Sequence, residues 1–437
     1  MRQRRRVWLS DMNRGIDLIR LGSSVMVRNA GWMLVGQGAG VLLQAVYFIV
    51  LARLLGAAQY GIFVGAFAFT GLVAQYSSLG AGTVLLRYVR GERKAFAEYW
   101  GNILISVFCM SALLISGLSF FAPRVLNPSS ASLVVLAAVA NCLCGPLTEQ
   151  TARVFQCFEK MHVTAVLNLL TNLMRLIAVL VLFWSAHHAT AWQWTMVSTG
   201  VSAIAAVIAV GTVIVCFGRP RFVPRLFLKH GLEGFGYSFA SSTMSVYNDV
   251  DKTMLSHYGM SVANGIYSMA YRVVDIGTIP IYSVREAVLP RLFQHGRAGI
   301  RDATIFSYRL LKRALPLSLL IALGMFLAAP LIPWFAGAGF RESVLALRWL
   351  CLIPVFRCFH LTIGNVLTGA GLQNYRTVAQ LTAAVLNFGL NLWAIPRFGW
   401  MGAAWTSLIT DGALCVLTWG ILHGIALKES CSEGSLA

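Results

Sequence analysis

Charge is what this sequence has least of. Only 12% of its 437 residues are Asp, Glu, Lys or Arg, whereas a water-soluble domain carries about 25%. The polar cover of a soluble globule is therefore missing. The nine cysteines form no C-x-x-C pair and no Cys/His ligand cluster, so they read as small apolar packers and no metal site is indicated. No G-x-x-x-x-G-K-[ST] run occurs, which excludes ATP hydrolysis by a P-loop. The opening MRQRRRVWLSDMNRGIDLIR is too polar for the h-region of a signal peptide and reads as a basic tail. No cofactor is expected.

What is present is apolar length. Hydrophobic residues make up 57% of the chain and mean hydropathy is +0.70. Runs near 20 residues, enough to cross the hydrocarbon as helices, recur from Gly31 onward. They are far longer than the roughly 10-residue alternating strands of a barrel, so helices must satisfy the backbone in lipid. The runs predict crossings over 31–52, 61–80, 99–122, 132–151, 163–184 and 192–218, then 235–255, 265–289, 315–336, 344–369, 378–395 and 399–422. The expected fold class is an all-α integral membrane protein with about twelve transmembrane helices.

Loop charge tests that count, because loops rich in Lys and Arg stay cytoplasmic. On this map 25 of the 35 Lys and Arg fall in the tail and alternate loops, and only Arg53, Arg124, Arg341 and Arg397 fall on the other side. The alternation predicts a multi-pass membrane protein with both termini cytoplasmic. It divides the chain into a basic tail (1–30), a first lobe (31–218), a basic linker (219–234), a second lobe (235–425) and a short tail (426–437). The net charge of +19 is then explained by sorting and by contact with anionic membrane lipids, with 290–313 on the membrane surface and no nucleic acid involved.

Two echoes suggest a repeat. Gly56-Ala57-Ala58-Gln59-Tyr60-Gly61-Ile62-Phe63 is answered by the segment from Gly259 to Tyr267, and Glu159 to Thr164 by Leu372 to Thr377. Six crossings separate the copies, which implies two pseudo-symmetric six-helix lobes around a central cavity.

Eleven charged residues fall inside crossings: Arg175, Asp249, Asp251, Lys252, Arg272, Asp275, Arg285, Glu286, Arg348, Arg357 and Asp411. Facing lipid would cost each roughly 2.5 to 3.5 kcal/mol, so they should face protein or water. In the seventh crossing Ser238, Ser241, Ser242, Ser245, Asn248, Asp249 and Lys252 recur at helical spacing, with Asp251 off the stripe. The eighth carries Ser268, Tyr271, Arg272, Asp275, Thr278, Tyr282, Arg285 and Glu286, with Pro280 placed to bend it. The fifth offers Thr164, Asn168, Thr171, Asn172 and Arg175, the eleventh Gln380, Asn387 and Asn391, and the first Gln37 and Gln44. Pairing within the membrane is the competing reading, since Asp249/Lys252 and Arg272/Asp275 both stand at i, i+3. Several stripes on several helices favour a water-filled cavity.

Lesser signals stay structural. Asp249-x-Asp251 lies mid-crossing and is no metal motif, Gly36-x-x-x-Gly40 is a helix-packing pair, His187-His188 belongs to a loop, and His360 and His423 have no evident ligand partners.

The run Leu51-Ala52-Arg53-Leu54-Leu55-Gly56 to Gln59-Tyr60-Gly61-Ile62-Phe63 resembles the opening signature of bacterial polysaccharide transporters of the Wzx type. Asp251-Lys252, then Gly265-Ile266-Tyr267-Ser268-Met269-Ala270-Tyr271-Arg272 and Leu289-Pro290, resemble the start of that family's second lobe. The resemblance implies the MOP-superfamily fold and a flippase, not an enzyme, moving sugar repeat units on polyprenyl pyrophosphate to the periplasmic leaflet by alternating access. It further implies partners in polysaccharide synthesis, a polymerase and a chain-length regulator. Carried over by position, Lys252, Arg272, Arg175 and Arg285 would meet the pyrophosphate, with Asn248 and Tyr271 beside them. Asp249, Asp251, Asp275 and Asp411 are candidates for ion pairing or for proton or Na⁺ coupling. The in-crossing charges are six basic and five acidic, which leaves a MATE-like exporter of organic cations open, and behind it a membrane polymerase or ligase.

Overall fold

In the computed structural model the backbone is described for residues 2–89, 93–186 and 188–434. Side chains are described over those ranges except at 2–30, 34, 93–94, 227–232, 240, 244, 285–287, 289–298, 300–301 and 426–434. Helices dominate, as a chain immersed in lipid requires. α1 (Arg2–Ala74) breaks at Gly56, where φ is 67°, and so supplies the first crossing and most of the second. The second ends in α2 (Ala81–Tyr88) and the third is α3 (Arg93–Val125). The fourth is assembled from α4 (Pro128–Ala131), α5 (Val134–Ala138), a π-helical turn at Val139–Cys144 and α6 (Gly145–Cys157). α7 (Met161–Ser185) and α8 (Ala191–Phe217) complete the first lobe. The second lobe follows as α9 (Pro224–His257), α10 (Ser261–Ala298), α11 (Ile300–Ala328) with α12 (Ile332–Ala336), α13 (Ser343–Leu350) with α14 (Ile353–Gly369), α15 (Gln373–Phe398) and α16 (Trp400–Gly434). That makes twelve crossings.

Among the described residues eight segments are long and apolar enough to cross a membrane by length and composition, the first of them running through both rods on either side of Gly56. The crossings that fall short are the broken fourth and the polar seventh and eighth. The protein-free faces are apolar, with Trp184 82% and Val215 86% exposed. Helix extends back to Arg2, beyond the predicted first crossing, and α10 is one continuous helix through Pro280.

The repeat is visible in the backbone. Gly56 and Gly259 both turn the chain with positive φ, 67° and 72°, a region that costs residues bearing a β-carbon. In the other pair of turns, Glu159 (φ 56°) occupies the place of Gly371 (φ 78°). Lys160 N–H bonds the Phe155 carbonyl as Leu372 N–H bonds that of Leu367. The structural match is thus Lys160 with Leu372, one residue from the sequence echo. A further pair was not foreseen: Ser130 Oγ donates to the Ile62 carbonyl (3.1 Å) and Ser343 Oγ to that of Ile266 (2.9 Å).

The lobes are locked at the end that carries these glycine turns. Ala57 and Gly61 of α1 cross Ser261 and Gly265 of α10 so closely that a β-carbon on Gly61 would strike the Ser261 carbonyl, and one on Gly265 the Ala57 carbonyl. Asn264 Nδ2 clamps the crossing by donating to the carbonyls of Gly61 (3.0 Å) and Lys252 (3.1 Å). Tyr60 and Phe340, both buried, pack edge to face over it at 6.0 Å.

Toward the basic loops, α9 stays zipped to the second crossing. Ser238 Oγ donates to the Gln75 carbonyl (2.9 Å) and Ser242 Oγ to that of Leu72 (3.1 Å), and Arg87 pairs with Glu233 at 2.6 Å. Ser238 and Ser242, expected on a water-facing stripe, instead fasten one lobe to the other.

Candidate substrate cavity

A cavity of about 480 Å³ lies between the lobes. Most of its wall belongs to the first lobe: Gln44, Tyr47 and Phe48 before the Gly56 break, Phe63 to Ser78 after it, and Asn141, Glu149, Asn172, Arg175, Ser198 and Ser202. The second lobe adds Ser245, Asp249, Lys252 and Arg272. Two chambers of about 440 and 290 Å³ adjoin it. The larger shares Gly145, Glu149, Arg175 and Ser202 with the central cavity, the smaller Gln44 and Asn172. They reach Met33 and Gln156, toward the basic loops, while the glycine crossing seals the opposite end.

The cations of the central cavity differ in their company. Lys252 Nζ lies 2.7 Å from Asp249 Oδ1, donates to the Asn248 carbonyl (2.5 Å) and sits 4.7 Å over the Tyr271 ring. Arg272 stacks over Phe48 at 4.5 Å, and Arg175 reaches Ser202 Oγ at 3.3 Å. Among the described residues neither arginine has a carboxylate within ion-pair distance. The local pairing open to Arg272 does not form. Asp275 lies 3.3 Å from Arg357, whose other nitrogen donates to Tyr271 Oη at 2.7 Å.

The remaining carboxylates turn into the second lobe. Asp251, 1% exposed, accepts from the Tyr267 hydroxyl and from Lys252 N–H (2.7 Å), with Ser407 Oγ at 3.5 Å. It ties α9 to α10 and α16, and Asp249 alone of the two faces the cavity, as helical phase requires. Asp411, also 1% exposed, lies 3.5 Å from His360 Nε2 and accepts no hydrogen bond. His360, read from sequence as lacking evident ligand partners, lies beside Asp411 two crossings further on without a hydrogen bond between them. Beside it, Tyr247, Asn248, Arg357, His360 and Gln380 line a void of about 30 Å³, room for one water.

Of the expected binding residues, Lys252, Arg272 and Arg175 line the cavity, Asn248 lines the small void, and Tyr271 lies buried beneath Lys252. The side chains of Arg285 and Glu286, and residue His187, lie outside the described residues. Gln37, Gln44, Asn168, Thr171 and Asn172 line the chambers. Their counterparts in α15 do not: Asn391 Nδ2 donates to Asn387 (2.9 Å), Asn387 to Thr410 (3.3 Å), and the Thr406 hydroxyl to Asn391, gluing α15 to α16. Ser198, Ser202 and Glu149 are lining residues the sequence reading missed, although the two serines stand at i, i+4 in α8. Among the described residues no group of three or more His, Cys, Asp or Glu side chains could hold a metal ion.

Twelve crossings in two lobes around a polar cavity sealed at one end define a multi-pass membrane protein, and solved structures share this fold. The lipid II flippase MurJ in an inward closed conformation superposes with a TM-score of 0.74 at 14% identity, over 90% of this chain and 87% of that one. An inward-facing multidrug resistance MATE transporter of the MOP superfamily gives 0.71 at 13%, over 89% and 96%. Residues 26–295 match the family described as polysaccharide biosynthesis protein, and the chain belongs to that family. Among curated proteins, an uncharacterised membrane protein of Methanocaldococcus jannaschii is 26% identical over 217 residues. That alignment takes in 47% of this chain and 48% of the relative, so it spans about half the relative's length.

Proposed function

We propose that the chain is a flippase for oligosaccharide repeat units on polyprenyl pyrophosphate, precursors of O-antigen or exopolysaccharide, working by alternating access. One observation carries this reading: Arg175, Lys252 and Arg272 line one cavity, and among the described residues the two arginines have no carboxylate partner. Arginine presents a planar fork of donors to phosphate oxygens and lysine a mobile point charge, so the three suit a pyrophosphate. Asp251, Asp275 and Asp411 do not line the cavity, whose charged residues are Arg175, Lys252 and Arg272 against Asp249 and Glu149. With the basic loops cytoplasmic, the cavity faces the cytoplasmic leaflet of the bacterial inner membrane, sealed toward the periplasm. The unit would be handed on to a polymerase and a chain-length regulator, and no catalytic role falls to this chain.

An exporter of organic cations needs an available carboxylate. Asp249 is held by Lys252, and Glu149 lies 3.4 Å from Arg153. Deleting the gene separates the two readings. The flippase reading expects polyprenyl-linked sugar to accumulate on the cytoplasmic side with drug sensitivity unchanged. Heightened drug sensitivity with normal lipid-linked sugar would reject it.

A further inference from the structure

We propose that the two side chambers between α1, α6 and α7 form the subsite that holds the sugar, with a wall of carboxamides and hydroxyls for glycan hydroxyls. This rests on the flippase reading and names where, within the first lobe, the head of the substrate lies.

Gln37, Gln44, Gln156, Asn168 and Asn172 face these chambers, and none of the five side chains hydrogen-bonds among the described residues. Each carboxamide offers two donors and an acceptor, the complement of a vicinal pair of sugar hydroxyls. A row of unengaged amides is unsuited to a polyprenyl chain, which would strip their water and return no hydrogen bond. An organic cation fares no better, because the chamber's carboxylate, Glu149, already pairs with Arg153. Volumes of about 440 and 290 Å³ are near the roughly 300–1,000 Å³ of small-molecule sites.

Position supports the same assignment. Arg175 belongs to both the central cavity and the larger chamber, and Asn172, one helical turn away, to both the cavity and the smaller one. A pyrophosphate at Lys252, Arg272 and Arg175 therefore delivers the sugar bonded to it at the chamber mouths. Among the described residues the second lobe shows no equivalent, since Asn387 and Asn391 spend their amides on each other and on α16. The subsite is thus one-sided, and the first lobe would carry the glycan while the second moves against it.

The test uses full-length protein in nanodiscs and two probes, undecaprenyl pyrophosphate and the lipid-linked oligosaccharide extracted from the deletion strain. Wild type should bind the glycan-bearing lipid about tenfold more tightly than the bare one, a ratio within reach of a few added hydrogen bonds. Gln37→Met with Asn168→Leu should bring that ratio close to one while bare lipid binds as before, which also shows that the variant is folded. Should the pair fail to fold, Asn168→Leu alone is read in the same way, with a partial fall in the ratio expected. Equal binding of both lipids by wild type, or a ratio that survives the substitutions, overturns the subsite and leaves the flippase reading standing. Binding of neither lipid by wild type overturns both.

Discussion

Gly61 and Gly265 meet where α1 crosses α10, and each is glycine because the other lobe's backbone occupies the space of its β-carbon. The contact closes the cavity at one end, and it must separate if the cavity is ever to open there.

Gly265→Val should therefore force the crossing apart. Overpacking of this kind costs about 1–3 kcal/mol, enough to raise the population of a state open at that end about 5- to 150-fold. In a cysteine-free background with Ser245→Cys as reporter, labelling by an impermeant maleimide applied from the Gly61 side should speed up accordingly. Unchanged labelling would mean that the seal lies elsewhere.

Gly36 and Gly38 make an internal control on the first crossing. A β-carbon on Gly36 would sit 2.8 Å from Ala165 Cβ, whereas one on Gly38 meets nothing within 4 Å. Gly36→Val should lower thermal stability, by about 1–3 kcal/mol where α1 is pushed off α7, and Gly38→Val should leave it nearly unchanged. Equal effects would contradict the packing role of the Gly36-x-x-x-Gly40 pair.

Arg357 joins Asp275 and Tyr271 through two nitrogens of one guanidinium. Arg357→Met should destabilise the second lobe by about 1.5–3 kcal/mol, the scale for losing hydrogen bonds to a charged group. Arg357→Lys should rescue little, since one ammonium does not reproduce the fork. Melting of the purified variants checks both, and a full rescue by lysine would argue against the two-point contact.

Much of this architecture is legible in the sequence. Apolar run length and alternating loop charge predict twelve crossings, and the Gly56 and Gly259 turns appear in the echo that marks the repeat. The second echo slips by one residue, because Glu159 holds a positive φ that residue type gives no reason to expect there. The fourth crossing reads as one plain helix although a π turn interrupts it. Within the polar stripes, helical phase separates Asp249 from Asp251. It says nothing of partners far along the chain, so Arg357 with Asp275 and His360 with Asp411 went unseen. Ser238 and Ser242 mislead for a related reason: periodicity locates a face, and only tertiary structure shows whether water or another helix covers it.

The account stands most directly on whether the cavity cations carry the substrate. In a deletion strain complemented with the Lys252→Ala, Arg272→Ala protein, the decisive measurement is polyprenyl-linked sugar on the cytoplasmic side, with membrane insertion checked in parallel. The account predicts a normally inserted protein, lipid-linked sugar trapped as in the deletion, and no surface polysaccharide. Wild-type polysaccharide with both cations gone would contradict it.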